Sequence, residues 1–460
     1  MMDKNISRRK FLLGLSAGAG VMALAACAPV AAPAAAPAAA PAAGGESAPA
    51  AAPAPVMEPV TVTLWSSFTG KNSETETELV KRFNESQGDV VLDYQFQGSY
   101  EETAQKVTAA LQARTAPDVS LLSDVWWFKF YLNNALLPLD DLMAAADVDV
   151  ADYQDSLINE GVRQGKHYWV PFARSTPLFY YNKEKWAAAG LPDRGPETWD
   201  EFMEWAPNLV EMEGSEMKVP AFAHPNGASY IAWLFQGVAW QFGGSYSDPD
   251  FTMHMTDENT IAAGQFYRDS VHEYRWARPA IAVDTDFING LTASAMMSTG
   301  SMGGIKTNAT FEFGTAMLPK KEFFGCCTGG AGLAVLATTP AEKQAGAMEY
   351  IAFASNTENT VFWSQNTGYM PVRKSALENA EMLAHFEAFP QFKTAVEQLA
   401  LTRPQDSARV FVPNGDQIIG KGLERITVEM EEVAVAFGDV QKILEEEAAP
   451  VVTALKAIEG

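Results

Sequence analysis

The chain has 460 residues and a formal net charge of −24, with 57 acidic against 33 basic side chains. That balance argues against a nucleic-acid partner, which needs a basic face, and against long-range steering of anionic ligands, so an anion would need local donors. Three cysteines and five histidines show no metal-ligand spacing, so no metal or cofactor is expected.

The chain opens with Ser7-Arg8-Arg9-Lys10-Phe11-Leu12, a short apolar run from Phe11 to Ala23, and Leu24-Ala25-Ala26-Cys27. A basic head, an apolar core and small residues before a cut make a secretory signal. The twin arginine marks the route that exports folded proteins. The last four residues resemble a bacterial lipobox, which implies that Cys27 is lipidated and becomes the mature N-terminus. A membrane anchor helix is the competing reading, but the apolar run falls short of a bilayer span. The first 26 residues carry four basic groups and one acidic group, so their removal leaves −27. From Ala28 to Pro55, 23 of 28 residues are Ala or Pro. Such a segment cannot bury a core and favours extended polyproline conformations. At about 3.1 Å per residue it could reach about 90 Å, and it reads as a tether.

From about Met57 onward the chain is globular in composition. Its length exceeds what one hydrophobic core usually holds, so two domains are expected. No later run is apolar enough to span a membrane. Val60, Val62 and Leu64 alternate with threonines as a strand does. Leu79, Val80 and Phe83 mark a helix over 74–86, with Gly88 as its stop. Val90, Leu92, Tyr94 and Phe96 alternate again. Ser99-Tyr100-Glu101-Glu102 is a capping box for a helix reaching Arg114. Asp118 to Ser123 reads as a third strand, and Asp124 as a cap for the helix after it.

This βαβαβ order implies a parallel sheet, and open parallel sheets bind ligands beyond the carboxyl ends of their strands. Those ends are Trp65-Ser66, Gly98-Ser99-Tyr100 and Ser123-Asp124, which gather aromatic rings, hydroxyls and a carboxylate on one rim. Each also has a plainer reading: Trp65 as packing, Ser99 and Asp124 as helix caps, Tyr100 as cover for a first turn. Cys326 and Cys327 are adjacent, and two buried free thiols are expected in place of a strained vicinal bridge.

Further motifs follow in order: His167-Tyr168-Trp169-Val170-Pro171-Phe172, Ala173-Arg174-Ser175-Thr176-Pro177, Tyr180-Tyr181-Asn182-Lys183, Thr198-Trp199, Ala295 to Met302, Thr328 to Val335, and Gln365 to Val372 with its Thr-Gly-Tyr. Over residues 60–430 this set resembles the extracellular solute-binding proteins of family 1, which serve sugar ABC importers, and within them the glycerol-3-phosphate-binding branch. The resemblance implies an α/β, two-lobed periplasmic-binding-protein-like fold of type II, with discontinuous lobes joined by a hinge. The implied division is a signal over 1–27, a disordered linker over 28–58, lobe 1 over 59–172 with 329–363, and lobe 2 over 173–328 with 364–460. Crossings are expected near Pro171–Arg174, Cys327–Gly330 and Trp363–Gly368, and Gly329 and Gly330 suit a hinge.

By that similarity Tyr100, Ser175, Gly330 and Tyr369 carry over as ligand contacts. Asp124 falls where the branch has a hydroxyl-binding glutamate one methylene longer. Ser298 and Thr299 match its paired serines, and a turn feeding a helix start suits an anion. The branch's late Gln-Ile-Arg corresponds here to Gln417-Ile418-Ile419, without the arginine. Arg174 could compensate from the hinge loop; otherwise the ligand is a neutral sugar or polyol. Trp65, Trp126, Trp127, Tyr100 and Trp233 offer flat faces for a sugar ring, with one or two expected to stack and most tryptophans in the core.

Enzyme signatures do not hold. Gly14-Leu15-Ser16-Ala17-Gly18 mimics a serine-hydrolase elbow inside the signal. Gly300 to Thr307 misses the phosphate-loop spacing by one residue, Ile305. The expected function is a membrane-tethered, monomeric receptor outside the cytoplasm that captures a sugar, polyol or glycerol phosphate and delivers it to ABC permease subunits. A secreted glycosidase with paired carboxylates is the alternative.

Overall fold

A computed structural model describes residues 58–459; the expected export signal, Cys27 and the Ala/Pro segment lie outside the described residues. Ten strands carry the architecture: β1 (Val60–Ser66), β2 (Val90–Phe96), β3 (Val119–Ser123), β4 (Val170–Ser175), β5 (Pro177–Asn182), β6 (Phe222–Pro225), β7 (Ala277–Ala280), β8 (Ser294–Ser298), β9 (Phe313–Ala316) and β10 (Gly329–Val335). They form two five-stranded sheets, ordered β2-β1-β3-β10-β4 and β7-β6-β8-β5-β9. In each sheet three parallel strands meet an antiparallel fourth, followed by a fifth antiparallel to that one. The fold is therefore the two-lobed α/β class, and each lobe takes discontinuous stretches of chain.

The parallel half of the first sheet follows the sequence closely. β1 alternates between covered and partly covered residues, whereas β3 is buried on both faces. The first helix begins at Gly70, ahead of the expected start, and ends at Ser86. Ser99 caps the helix Tyr100–Ala113 as expected: its Oγ accepts the Glu102 N–H at 3.2 Å, while Glu102 Oε2 accepts the Ser99 N–H at 2.7 Å. Gly98 stands just before that box at φ 107°, where an added Cβ would strike the Glu102 carboxylate. Glycine is thus required for the chain to enter the helix.

β4 and β5 belong to different sheets, yet only Thr176 separates them. The crossing therefore falls just after the Pro171–Arg174 stretch, which lies inside β4. Thr176 is fully buried; its hydroxyl donates to the Cys327 carbonyl at 2.9 Å and accepts from Gln398 Nε2 at 3.0 Å. The return passage runs from β9 to β10 through Cys326 and Cys327, both buried free thiols. The helix Thr357–Thr367 then ends at Gly368 with φ 92°.

The long helix Val433–Glu459 ties the halves together. Val433, Phe437, Val440 and Leu444 pack into the core of the second sheet. Val451 joins the cluster of Trp127, Phe128 and Trp169 under the first. At its far end Glu459 accepts two hydrogen bonds from Arg163, at 2.8 and 2.7 Å, and one from the Tyr131 hydroxyl at 3.0 Å. No helix among the described residues is long and apolar enough to cross a membrane.

Candidate ligand-binding site

The carboxyl ends of β1, β2 and β3 open into a cavity of about 620 Å³, which is also lined by the second lobe. From the first lobe come Thr69 to Asn72, Ser99 to Glu101, and Ser123 to Trp126. The opposite wall includes Tyr230, Trp233, Asp284, Ser298, Gly300 and Asp416. Ser175, Gly330 and Tyr369, from the crossing segments, line the cavity between them. Location at parallel strand ends follows from the topology, because the loops there face outward between the helices.

Six of the nine candidate residues line this cavity: Tyr100, Asp124, Ser175, Ser298, Gly330 and Tyr369. The Tyr100 and Tyr369 hydroxyls lie 3.4 Å apart, in contact across the sequence. Burial raises the ionisation of both, Tyr369 to about 12, so both remain neutral donors. Tyr369 is held by Trp363, stacked at 5.8 Å, and by Phe68 at 6.0 Å. Gly300 packs directly on the Tyr369 ring, where a Cβ would not fit. Gly330 has φ 102°, and a Cβ there would collide with the Ala173 carbonyl. Gly329 has the same steric limit against the Trp233 indole. Both glycines are thus packing requirements.

The other three candidates stand outside the cavity wall. Trp65 bonds through its indole N–H to Gln95 Oε1 at 3.0 Å and packs beside the Trp126–Trp169 cluster. Thr299 is fully buried, and its N–H donates to the Thr176 carbonyl at 3.2 Å. Arg174 is fully buried, pairs with Glu160, and lies over the Trp169 indole at 4.9 Å. It does not replace the missing arginine. β4 is covered on both faces, so its residues show no alternation from which a cleft-facing side could be read.

Two further expectations change. Asp124 does not cap the helix that follows: that helix starts at Trp127 with Trp126 as its N-cap. Its Oδ2 instead accepts from Gln405 Nε2 at 2.6 Å and from Arg409 Nη1 at 3.4 Å. The turn at Ser298–Gly300 is not a free anion cradle. The Ser298 N–H donates to the Tyr230 hydroxyl at 2.7 Å, Thr299 to Thr176, and Gly300 to Ser298 Oγ at 3.1 Å.

The residue that sequence reasoning missed is Arg409. It lies on the short helix Ser407–Val410, is almost fully buried, and lines the cavity. Its Nη1 is engaged by Asp124 and Gln405, whereas its Nε has no partner among the described residues. A cleft arginine is therefore present, about ten residues before Ile419, where the resemblance implies one. Of the proposed aromatic faces, Tyr100, Trp126 and Trp233 line the cavity, while Trp65 and Trp127 do not. Among the described residues no cluster of His, Cys, Asp or Glu could hold a metal.

A deep cleft between two α/β lobes, walled by hydroxyls, indoles and one arginine, defines a binding protein for a small polar solute. The chain belongs to the bacterial extracellular solute-binding proteins, whose family model matches residues 78–394. Its fold is similar to the crystal structure of UgpB from Mycobacterium tuberculosis in complex with glycerophosphocholine: TM-score 0.81, 44% identity, covering 85% of this chain and 98% of that one. It is also similar to the cyclic alpha-maltosyl-1,6-maltose binding protein from Arthrobacter globiformis, with TM-score 0.69 and 25% identity over 86% of this chain and 99% of that one. In sequence it is 26% identical over 361 residues to the sn-glycerol-3-phosphate-binding periplasmic protein UgpB of Escherichia coli strain K12, covering 75% of this chain and 81% of that protein.

Proposed function

We propose that this protein is the solute receptor of an ABC importer and that its cargo is a glycerol-phosphate-containing solute held between the lobes. The observation that carries this reading is Arg409, a buried arginine lining the same cavity as the neutral hydroxyls of Tyr100 and Tyr369. An arginine with donors to spare is the side chain best suited to a phosphate oxygen in a dry cleft. The likeness to a protein bound to glycerophosphocholine supports the same ligand class. In this reading Tyr100, Asp124, Ser175, Ser298, Gly330 and Tyr369 contact the solute with Arg409, while Trp65, Arg174 and Thr299 support the wall from behind.

The lobes divide near Thr176, between β4 and β5, and near Thr328, between β9 and β10, and they close by rotation about these crossing segments. Contacts made by both lobes set the preference for the closed form. Export by the twin-arginine route and lipidation at Cys27 keep the receptor near the permease. The cleft captures without turnover.

A second reading is a neutral saccharide, favoured by the Trp126 and Trp233 indoles in the cavity. Isothermal titration with sn-glycerol 3-phosphate, glycerophosphodiesters and maltose separates the two. A stoichiometric phosphodiester complex, recovered unchanged, supports the first reading. Binding of maltose with no response to any glycerophosphate compound overturns it.

A further inference from the structure

Arg409 stands on a helix of a single turn, Ser407–Val410, too short to hold its own shape. Its place is set by bonds to neighbouring elements. The turn begins at Asp406, whose carbonyl accepts the Arg409 N–H at 3.0 Å. The Asp406 N–H donates to Gln236 Oε1 at 2.9 Å, and the Ala408 N–H donates to Ser247 Oγ at 2.8 Å. The Asp406 carboxylate does not cap the turn. Its Oδ2 accepts the Tyr246 N–H at 2.7 Å, and both its oxygens accept the Trp240 indole N–H, at 3.0 and 3.2 Å. Gln236 and Trp240 belong to the helix Ala228–Gln241, and Tyr246 and Ser247 to the loop after it. Asp406 thus moors the turn that presents Arg409 to the core of the second lobe.

This carboxylate is 8% exposed and lies outside the cavity wall. Few charges face it. The helix Ala228–Gln241 contains no charged residue. Arg403 Nη2 lies 3.8 Å from Oδ1, but that guanidinium is half exposed and stacks on the Trp240 ring at 3.8 Å. Cys327, on the return crossing, is a buried thiol whose ionisation is opposed by Asp124 and Asp406 and favoured by Arg409. Burial keeps the Tyr246 phenol neutral. Burial likewise pushes the Asp406 carboxyl up to about 6, against the pull of its N–H donors and of Arg403.

Only the ionised form offers both oxygens as acceptors. A proton on Oδ1 turns that oxygen into a donor facing the indole N–H, and two donors in contact loosen the mooring. We propose that Asp406 is a positioning residue for Arg409: by accepting the Trp240 and Tyr246 N–H groups, its carboxylate seats the arginine for a phosphate and makes capture depend on pH. This assignment rests on the phosphodiester reading above, since Asp406 acts on the ligand through Arg409.

The test is isothermal titration of the full chain with glycerophosphocholine, whose phosphodiester and quaternary amine keep their charges between pH 5 and pH 7.5. Wild-type affinity is expected to fall by about fivefold or more from pH 7.5 to pH 5. Asp406→Asn places an amide where the protonated acid would stand, so it should show the wild-type pH 5 affinity at both pH values. Trp240→Phe removes one donor to the carboxylate and should move the loss of affinity to higher pH; it stands as a second variant if Asp406→Asn folds poorly. Wild-type affinity that is the same at both pH values overturns the proposal. So does an Asp406→Asn protein that keeps the full wild-type acid loss, which would assign that loss to Asp284, a cavity carboxyl that burial also raises. Both outcomes leave the phosphodiester reading intact. Absence of glycerophosphocholine binding at either pH, with maltose bound, overturns that reading and the role of Asp406 with it.

Discussion

Arg409 Nη1 lies 3.4 Å from Asp124 Oδ2, joining two residues 285 positions apart across the ligand cavity. Both side chains are nearly fully buried, so each depends on the other for a counter-charge. A hydrogen bond to a charged group is worth about 1.5–3 kcal/mol net. Arg409→Ala is therefore expected to weaken binding of a glycerophosphodiester by about tenfold to a hundredfold in titration calorimetry. Arg409→Lys restores the charge without the planar fork and should recover only part of the loss. Unchanged affinity in both variants would place the phosphate elsewhere.

Arg174 shows the opposite profile. It is fully buried, paired with Glu160, stacked over Trp169, and outside the cavity wall. Arg174→Ala leaves the Glu160 carboxylate, 22% exposed, with the Thr328 hydroxyl as its remaining partner, a cost below the about 3–5 kcal/mol of breaking a fully buried pair. A lowered unfolding midpoint with ligand affinity changed less than tenfold is expected. A loss of affinity far beyond tenfold, at constant stability, would make Arg174 a ligand residue.

Gly330 and Gly438 form a matched pair. Gly330 combines φ 102° with a blocked Cβ position, whereas a Cβ at Gly438 in the last helix meets nothing within 4 Å. Gly330→Ala should destabilise the protein by more than about 1 kcal/mol, and Gly438→Ala should stabilise it by about 0.5–1 kcal/mol. Denaturant midpoints measured side by side give both signs in one experiment.

Glu76 governs a pH term. It is fully buried beneath β1 with the Ser66 hydroxyl at 2.7–2.8 Å, and burial pushes its carboxyl up to about 7. The folded protein therefore keeps this proton between about pH 4.5 and 7 while the unfolded chain releases it. Stability from this group is full below the unfolded value and is lost as pH rises through the folded one, a term of about 3 kcal/mol. Glu76→Gln keeps the hydrogen-bonding shape without ionising. Its unfolding midpoint relative to wild type should rise between pH 5 and pH 8; a constant difference would remove Glu76 from the linkage.

His224 works in the other direction. It is buried against Ser270, and burial lowers its imidazole to about 3. The unfolded chain takes up that proton below about 6.5, so this group subtracts stability as pH falls from about 6.5 towards 3. His224→Gln should flatten the acid limb of the stability profile in calorimetric scans at stepped pH. An acid limb as steep as that of the wild type would assign it to other groups.

The sequence is most legible where structure is local. The alternation in β1 and β2, the capping box at Ser99 and the polar strand ends are set by neighbours a few positions apart, and six residues chosen from such motifs line one cavity. Arg409 escaped because its short helix has no periodic pattern and its partner is far away in the chain. Asp124 follows a strand, the local setting of a helix cap, but its long-range pairing with Arg409 and Gln405 prevails over the local one. Arg174 looked like a cleft residue because a strand covered on both faces does not reveal which way its side chains turn.

The order of strands in the first sheet has a temporal consequence. β3 lies between β1 and β10, so its second edge finds a partner only when Gly329–Val335 has been made. From Ser123 to Gly329 is an interval of 206 residues, which at about 5–20 residues per second lasts about 10–40 s on the ribosome. Through that interval the nascent chain holds an uncovered strand edge, the kind of surface that invites pairing with other chains. The newborn receptor thus has its longest exposure to aggregation before either lobe can be finished, and a holding chaperone would have its greatest effect in that window.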